Sequence, residues 1–327
     1  SRLRSATITT THLRFTVRVR TPLALDASSG SAFRGSLFHA IWQRFCTNKQ
    51  TETCAACPLH ETCPVSALVA PLREENAWGQ DIPRPYVLLP PLDGARHYAV
   101  GETCSFGITL IGSIIQLLPY LMLSIKPFEA AGVGRRLEEH GGQRGQFHVE
   151  RVESYHPFTG EQHIIYEAGD TKVQVPVITI DARERQQRIE QLHRVRITLR
   201  LLTPLCLIDQ QRLVNPISFR PLIRRLLERT LALERHYGST EATMEREERD
   251  AIARRAEAVR CVHDETQWTD LRSYSHRQRR TTPIGGLIGK VTFEGELEPF
   301  LPLLVLGELI HVGKDVVKGN GWYQIEP

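Results

Sequence analysis

The chain has 327 residues, 41% hydrophobic and 24% charged, and its 41 Lys and Arg against 37 Asp and Glu give a formal charge of +4. Such values belong to a folded globule long enough for two domains, and they exclude a disordered, collagen-like or strongly acidic chain. The strongest apolar runs, Leu117 to Leu123 and Phe300 to Leu306, are short and carry Pro119 and Pro302, so neither a membrane span nor a membrane partner is expected.

In chain order, the first half is predicted to begin with a strand from Phe15 to Leu25 and an amphipathic helix running to Phe45. A strand from Thr103 to Ile111, a helix containing Leu118-Pro119, a glycine turn at Ala131-Gly-Val-Gly-Arg-Arg136 and a strand from Gln146 to Glu153 follow. The second half repeats the order: Ile197 to Leu207, a helix to Tyr237, Leu287 to Phe293, a helix with Leu301-Pro302, a turn at His311-Val-Gly-Lys314, and Trp322 to Ile325. Phe15-Thr-Val-Arg-Val-Arg-Thr-Pro-Leu-Ala-Leu25 is echoed 182 residues later by Ile197-Thr-Leu-Arg-Leu-Leu-Thr-Pro-Leu-Cys-Leu207. Repetition of this length means a duplicated domain, because each copy must bury its own apolar face.

An α+β class with tandem ferredoxin-like, or RRM-like, domains fits best, although the pattern does not locate one strand in each half. The expected domains are residues 1–185 and 195–327, with the polar stretch from Arg183 to Arg194 read as a linker. Two segments break the symmetry: an insertion at residues 46–91 in the first half, and a charged helix from Thr240 to Arg260 in the second, read as solvated and held by i,i+4 pairs.

The first insertion carries Cys46, Cys54, Cys57 and Cys63, four soft ligands within 18 residues. A structural metal site is expected there, either a 4Fe-4S cluster or Zn, with no open position for catalysis. The run Cys54-Ala-Ala-Cys-Pro-Leu-His-Glu-Thr-Cys63 resembles the iron-sulfur loop of the endonuclease III and adenine glycosylase family, with one residue more in the gap from Cys46 to Cys54. The seven Cys are an odd number and the start of the sequence has no apolar signal core, so the expected compartment is cytoplasmic.

Six of the basic residues are Lys and 35 are Arg, the better phosphate ligand. Between Leu271 and Phe293 there is no acidic residue, while Arg272, His276, Arg277, Arg279, Arg280 and Lys290 all fall there. A strip of this kind attracts polyanions by counterion release. The glycine turn near the end sets Lys314 and Lys318 beside Gly313, Gly319 and Gly321, where backbone N–H groups and ammonium charge could face phosphate; no Walker pattern accompanies it.

Several segments together resemble the repeat-RNA-processing CRISPR endoribonucleases of the RAMP superfamily. They are Arg272-Ser-Tyr-Ser-His-Arg-Gln278, Gly285-Gly-Leu-Ile-Gly-Lys-Val-Thr-Phe-Glu-Gly295, Pro299-Phe-Leu-Pro-Leu-Leu-Val-Leu-Gly-Glu308, His311-Val-Gly-Lys314 and Gly319-Asn-Gly-Trp-Tyr323. The match is closest from Arg196 onward, and Phe33-Arg-Gly-Ser-Leu-Phe-His39 is similar as well. The resemblance implies tandem ferredoxin-like domains and metal-independent cleavage of CRISPR repeat RNA, leaving a 2′,3′-cyclic phosphate on one fragment. It further implies a processed guide RNA retained among the other subunits of a CRISPR effector complex.

On the same grounds His39 is the candidate acid or base and Lys314 the candidate phosphate ligand in catalysis, with His276 or His311 as substitutes for His39. Arg34, Arg272, His276, Arg277, Gln278, Arg279, Arg280, Lys290 and Lys318 are the candidate RNA contacts. The final turn runs Gly-Asn-Gly where relatives often carry Phe-Gly-Leu-Gly. A noncatalytic RNA-binding subunit of the same superfamily, and a DNA-repair or transcription protein built around a metal loop, are the alternatives.

Overall fold

The computed structural model describes residues 6–52, 54–69, 83–170, 172–174, 177–239, 244–275 and 280–326. The chain forms two compact units, Thr11–Thr179 and Ser1–Thr10 with Ile180–Pro327.

In the N-terminal unit, β1 (Thr10–Val19) alternates Leu13, Phe15, Val17 and Val19 into the core with Arg14, Thr16 and Arg18 on the other face. α1 (Ser29–Phe45) buries Phe33, Leu37, Ala40 and Ile41 at helical spacing. β2 (Tyr86–Leu89), β3 (Thr103–Ile111), the short helices α2 (Leu118–Leu123) and α3 (Ile125–Ala131), β4 (Phe147–Tyr155) and β5 (Gln162–Glu167) follow. The sheet order is β2-β3-β1-β4-β5. Phe106 stacks on Phe15 and Phe33 at 4.9 and 4.4 Å, and Phe128 meets Phe106 and Phe147 edge-on, so the aromatic core ties α1 and α3 to the sheet.

The C-terminal unit contains α4 (Ala182–Glu190), β6 (Arg196–Leu205), α5 (Phe219–Tyr237), α6 (Arg246–Ala256), β7 (Arg260–Asp264), β8 (Gly286–Glu294), α7 (Leu301–Ile310) and β9 (Tyr323–Glu326). Its main sheet runs β7-β8-β6-β9, the same permutation as β2-β3-β1-β4, and this is the ferredoxin-like order. Phe219 contacts Phe293 and Phe300 edge-on at 5.1 and 5.3 Å, the second unit's counterpart of the aromatic core.

The strands that pattern alone did not locate are β2 and β7. Tyr86-Val-Leu-Leu89 is buried throughout and therefore does not alternate; Arg260-Cys-Val-His-Asp264 is an exposed edge and carries no apolar face. Since β2 pairs with β3 in the main sheet, the expected insertion at 46–91 stops short of Tyr86.

The division between units also differs from the expected 1–185 and 195–327. It falls at Thr179/Ile180, and residues 1–10 belong with the second unit. The stretch expected as a linker contains α4, whose N-cap Asp181 accepts from the Arg183 and Glu184 amides at 2.6 and 3.2 Å while Glu184 accepts from the Asp181 amide at 2.8 Å. This reciprocal cap satisfies donors that a polar, charge-rich segment would otherwise leave open. Buried Arg185 then donates to the carbonyls of Ile8, at 2.7 Å, and Ala6, while the Ile8 amide donates to Glu234 at 2.7 Å. Asp181→Ala is expected to cost about 1 kcal/mol, read as a lower urea midpoint at unchanged slope.

α4 also engages the end of the sheet. Arg188 donates to the Ile325 carbonyl at 2.7 Å and lies 3.6 Å from buried Glu308, whose Oε1 accepts from the Ile325 amide at 2.7 Å. Burial pushes the Glu308 carboxyl up to about 7. A raised acid holds its proton in the folded unit after the unfolded chain has released it. Its contribution is therefore complete below about pH 4.5 and is lost as pH rises through about 7. Glu308→Gln is expected to flatten this decline, measured as the difference in urea midpoint between about pH 5 and about pH 8.

Candidate nucleic-acid interface

The glycine turn of the C-terminal unit begins where α7 ends. His311 leaves the helix at φ 61°, and the chain returns so that the Val312 amide donates to Gly321 O at 3.2 Å. A Cβ at Gly321 would lie 1.8 Å from Val312 O, and one at Gly313 would lie 2.5 Å from Cys206 O, which is why both positions are glycine. The amides of Lys314 and Gly321 donate to Cys206 O and Pro204 O at 3.0 and 2.9 Å, and that of Trp322 donates to Thr203 Oγ1 at 2.9 Å. The buried Asn320 side chain donates to Ile284 O at 2.8 Å.

These amides are thus committed inside the unit, and the expected cradle of N–H groups for phosphate is instead a rigid mount for side chains. Lys314 is exposed on it. Lys318 is half-buried and ion-paired to Asp315 at 2.8 Å, so its charge is already met. His311 is fully buried, its Nδ1 3.2 Å from Asn320 O and its ring stacked on Trp322 at 5.8 Å. It packs the turn and offers no surface for catalysis.

On the outward face of the C-terminal sheet, exposed Lys290 pairs with Glu326 at 2.8 Å. Arg200, which the sequence did not single out, stands exposed in register opposite Lys290 on one side and Gln324 on the other. At the two ends of the strip from Arg272 to Arg280, Arg272–Ser275 pairs with Arg280–Pro283, and Ser275 is opposite Arg280. Arg272 is exposed. His276, Arg277, Gln278 and Arg279 lie outside the described residues.

In the N-terminal unit, His39 is exposed on α1, one turn before half-buried Trp42, with ring centroids 6.1 Å apart. Lys49, exposed just after the helix, sets its ammonium 5.6 Å from the Trp42 ring and donates to Gln43 O at 3.0 Å. An imidazole and an ammonium therefore flank one indole, a grouping of proton carrier, aromatic face and cation. Sequence reasoning found His39 and missed Trp42 and Lys49. The i,i+3 spacing of His39 and Trp42 was legible, whereas the path of the loop to Lys49 was not. Arg34 is half-buried, and its Nε is enclosed without a hydrogen-bond partner among the described residues.

Cys46 follows the last turn of α1, its amide donating to Trp42 O at 2.9 Å, and Cys54, Cys57 and Cys63 come next, all half-buried. Asn48 Nδ2 donates to Cys57 Sγ at 3.7 Å. Four thiolates suit a soft metal in donor type. Among the described residues, no group of three His, Cys, Asp or Glu side chains is gathered as a metal site requires. Also among the described residues, no helix is long and apolar enough to cross a membrane.

Residues 199–323 match a family model described as CRISPR-associated endoribonuclease Cas6, and residues 8–178 match one described as an N-terminal domain. A comparison with curated proteins found no match. Among solved structures, the chain is similar to a Cas6 product complex, at 12% identity and TM-score 0.56 over 98% of this chain and 100% of that one. It is also similar to Thermus thermophilus Cas6, at 14% identity and TM-score 0.55, with 98% and 100% covered. A partial Cas6-RT-Cas1–Cas2 complex matches at 14% identity and TM-score 0.59, over 98% of this chain and 46% of that one. At these identities the solved structures speak to the fold.

Proposed function

We propose that the chain, whose residues 199–323 match the family of CRISPR-associated Cas6 endoribonucleases, cuts CRISPR repeat RNA by attack of a ribose 2′-hydroxyl on the adjacent phosphate. The reaction leaves a 2′,3′-cyclic phosphate and a 5′-hydroxyl and uses protein groups alone. It needs a group to take the 2′-hydroxyl proton, a group to protonate the leaving 5′-oxygen, and positive charge for the phosphorane.

His39 is assigned the proton transfer. The observation that carries this is its exposed imidazole beside Trp42, with the Lys49 ammonium on the same indole. Trp42 offers a face on which an unstacked base can rest. Lys314 and the basic strip from Arg272 to Arg280 are assigned to backbone phosphates on the C-terminal unit. The RNA is bound through phosphate and 2′-hydroxyl contacts, which the Arg excess suits.

The test is incubation with end-labelled repeat RNA in EDTA. The expected result is one cut per repeat with a cyclic phosphate end; binding without cleavage would make the chain a noncatalytic RNA-binding subunit. Retention of the cut RNA in a larger complex is part of the same proposal. One structural relative is a Cas6-RT-Cas1–Cas2 complex, and the RNA copurifying with this chain should carry ends at repeat boundaries.

For Cys46, Cys54, Cys57 and Cys63, donor chemistry and spacing support a structural metal, Zn or 4Fe-4S, uninvolved in the cut. Elemental analysis of the purified protein should find about one zinc or four irons per chain, lost in the Cys57→Ser variant. Metal-free protein of full stability would sink this assignment.

A further inference from the structure

The turn after α3 continues into a hairpin, Val133–Leu137 paired with Gln143–Gly145. It occupies the place in the N-terminal unit that the Lys314 turn occupies in the C-terminal one, between the last helical segment and the fourth strand of the repeat. Glycines seat it directly on the strand Leu23–Leu25. A Cβ at Gly134 would lie 2.2 Å from Ala24 O, and one at Gly145 would lie 2.6 Å from Leu23 Cα. The hairpin is therefore held rigid by backbone contact rather than by side chains that could yield.

Its register puts Arg136 directly opposite Arg144. Like charges facing across an antiparallel pair are unfavourable. Nothing in the fold relieves this pair: among the described residues, no carboxylate lies at ion-pair distance from either guanidinium. Arg136 donates to Gly142 O at 3.0 Å. Partial burial, and after it the charge of Arg136, pull the Arg144 pKa below its ordinary value. The neighbouring Arg135 is treated differently, for Asp26 pairs with it at 3.1 Å. One arginine of the hairpin is neutralised from within, while two that face each other are left for something else.

We infer that Arg136 and Arg144 form a fork that takes one phosphodiester of the RNA backbone, giving the N-terminal unit an RNA contact of its own. Guanidinium groups bind phosphate through paired N–H donors, and an anion between them turns the repulsion into attraction. The inference rests on the RNA-processing reading, and it names which part of the substrate this hairpin holds, the backbone and not a base.

The test uses repeat RNA carrying a 2′-deoxy nucleotide at the cut site, so that binding is read without cleavage, by fluorescence anisotropy at several salt concentrations. The Arg136→Gln/Arg144→Gln variant is expected to bind about tenfold more weakly, with the slope of log K against log[salt] shallower by about one unit. Its Tm, and that of Arg136→Glu, which pairs across the strands with Arg144, should rise by about 1–3 °C as the repulsion is removed. Gain in stability with loss of affinity is the signature of a binding pair; a purely structural pair would lose both. Unchanged affinity and slope in the variants, with the wild type binding normally, overturn this inference alone. So does a fall in Tm that accompanies the loss of binding in both variants. A wild-type chain that binds no repeat RNA overturns the functional reading together with it.

Discussion

His39→Ala is expected to slow single-turnover cleavage of repeat RNA by about 10²–10⁴-fold while leaving RNA affinity within about twofold of wild type. The split follows from where the ring sits. It is exposed on α1, whose buried face is carried by Phe33, Leu37, Ala40 and Ile41, so its removal opens no cavity. His39 meets Trp42 at 6.1 Å with rings 27° from parallel, and the loss should not disturb the indole, which is anchored by the helix itself. Lys49→Ala, measured beside it, separates proton transfer from charge: it should lower the rate by less than His39→Ala does. Undiminished cleavage by His39→Ala would remove the residue from the mechanism and shift attention to His276.

Gly321→Ala is expected to be the most destabilising single methyl that the C-terminal unit can receive at its glycine turn. The residue is buried at φ 70°, and the added Cβ would stand 1.8 Å from Val312 O. The left-handed backbone costs an Ala about 1–2 kcal/mol and the overlap about 1–3 more, for a total of roughly 3 kcal/mol. Gly94→Ala is the control: φ is similar at 74°, but nothing lies within 4 Å of its Cβ, so the backbone cost of about 1 kcal/mol stands alone. Equal urea midpoints for the two variants would show that the turn can relax and that its tight return is not what holds Lys314 in place.

The duplication was legible because both copies keep the same alternation in their central strand and the same Pro-bearing helix. Thr103–Ile111 appears where the sequence put it, and α7 contains the expected Leu301-Pro302. The missing strands were invisible for opposite reasons: β2 is buried on both faces and so lost its period, and β7 is exposed and so never had one. Charge was legible as composition, less so as availability. Lys318 with Asp315 lies three residues apart and could have been discounted in advance, but Lys290 with Glu326 is brought together by two strands 36 residues apart. The phosphate-cradle reading of the final turn failed because a glycine pattern says that backbone comes close to something, and here the something was Cys206, Pro204 and Val312.

The leading segment that Arg185 and Glu234 clamp has a consequence for how the polypeptide matures on the ribosome. Residues 6–8 are made before the groups that hold them, which come about 180 and 230 residues later. Thr11–Thr179 can assemble while synthesis continues, but the stretch ahead of it stays unclaimed until most of the second copy has emerged. The strand that opens the first sheet is thus preceded by a stretch whose destination does not yet exist, and the second module is completed by residues made before the first.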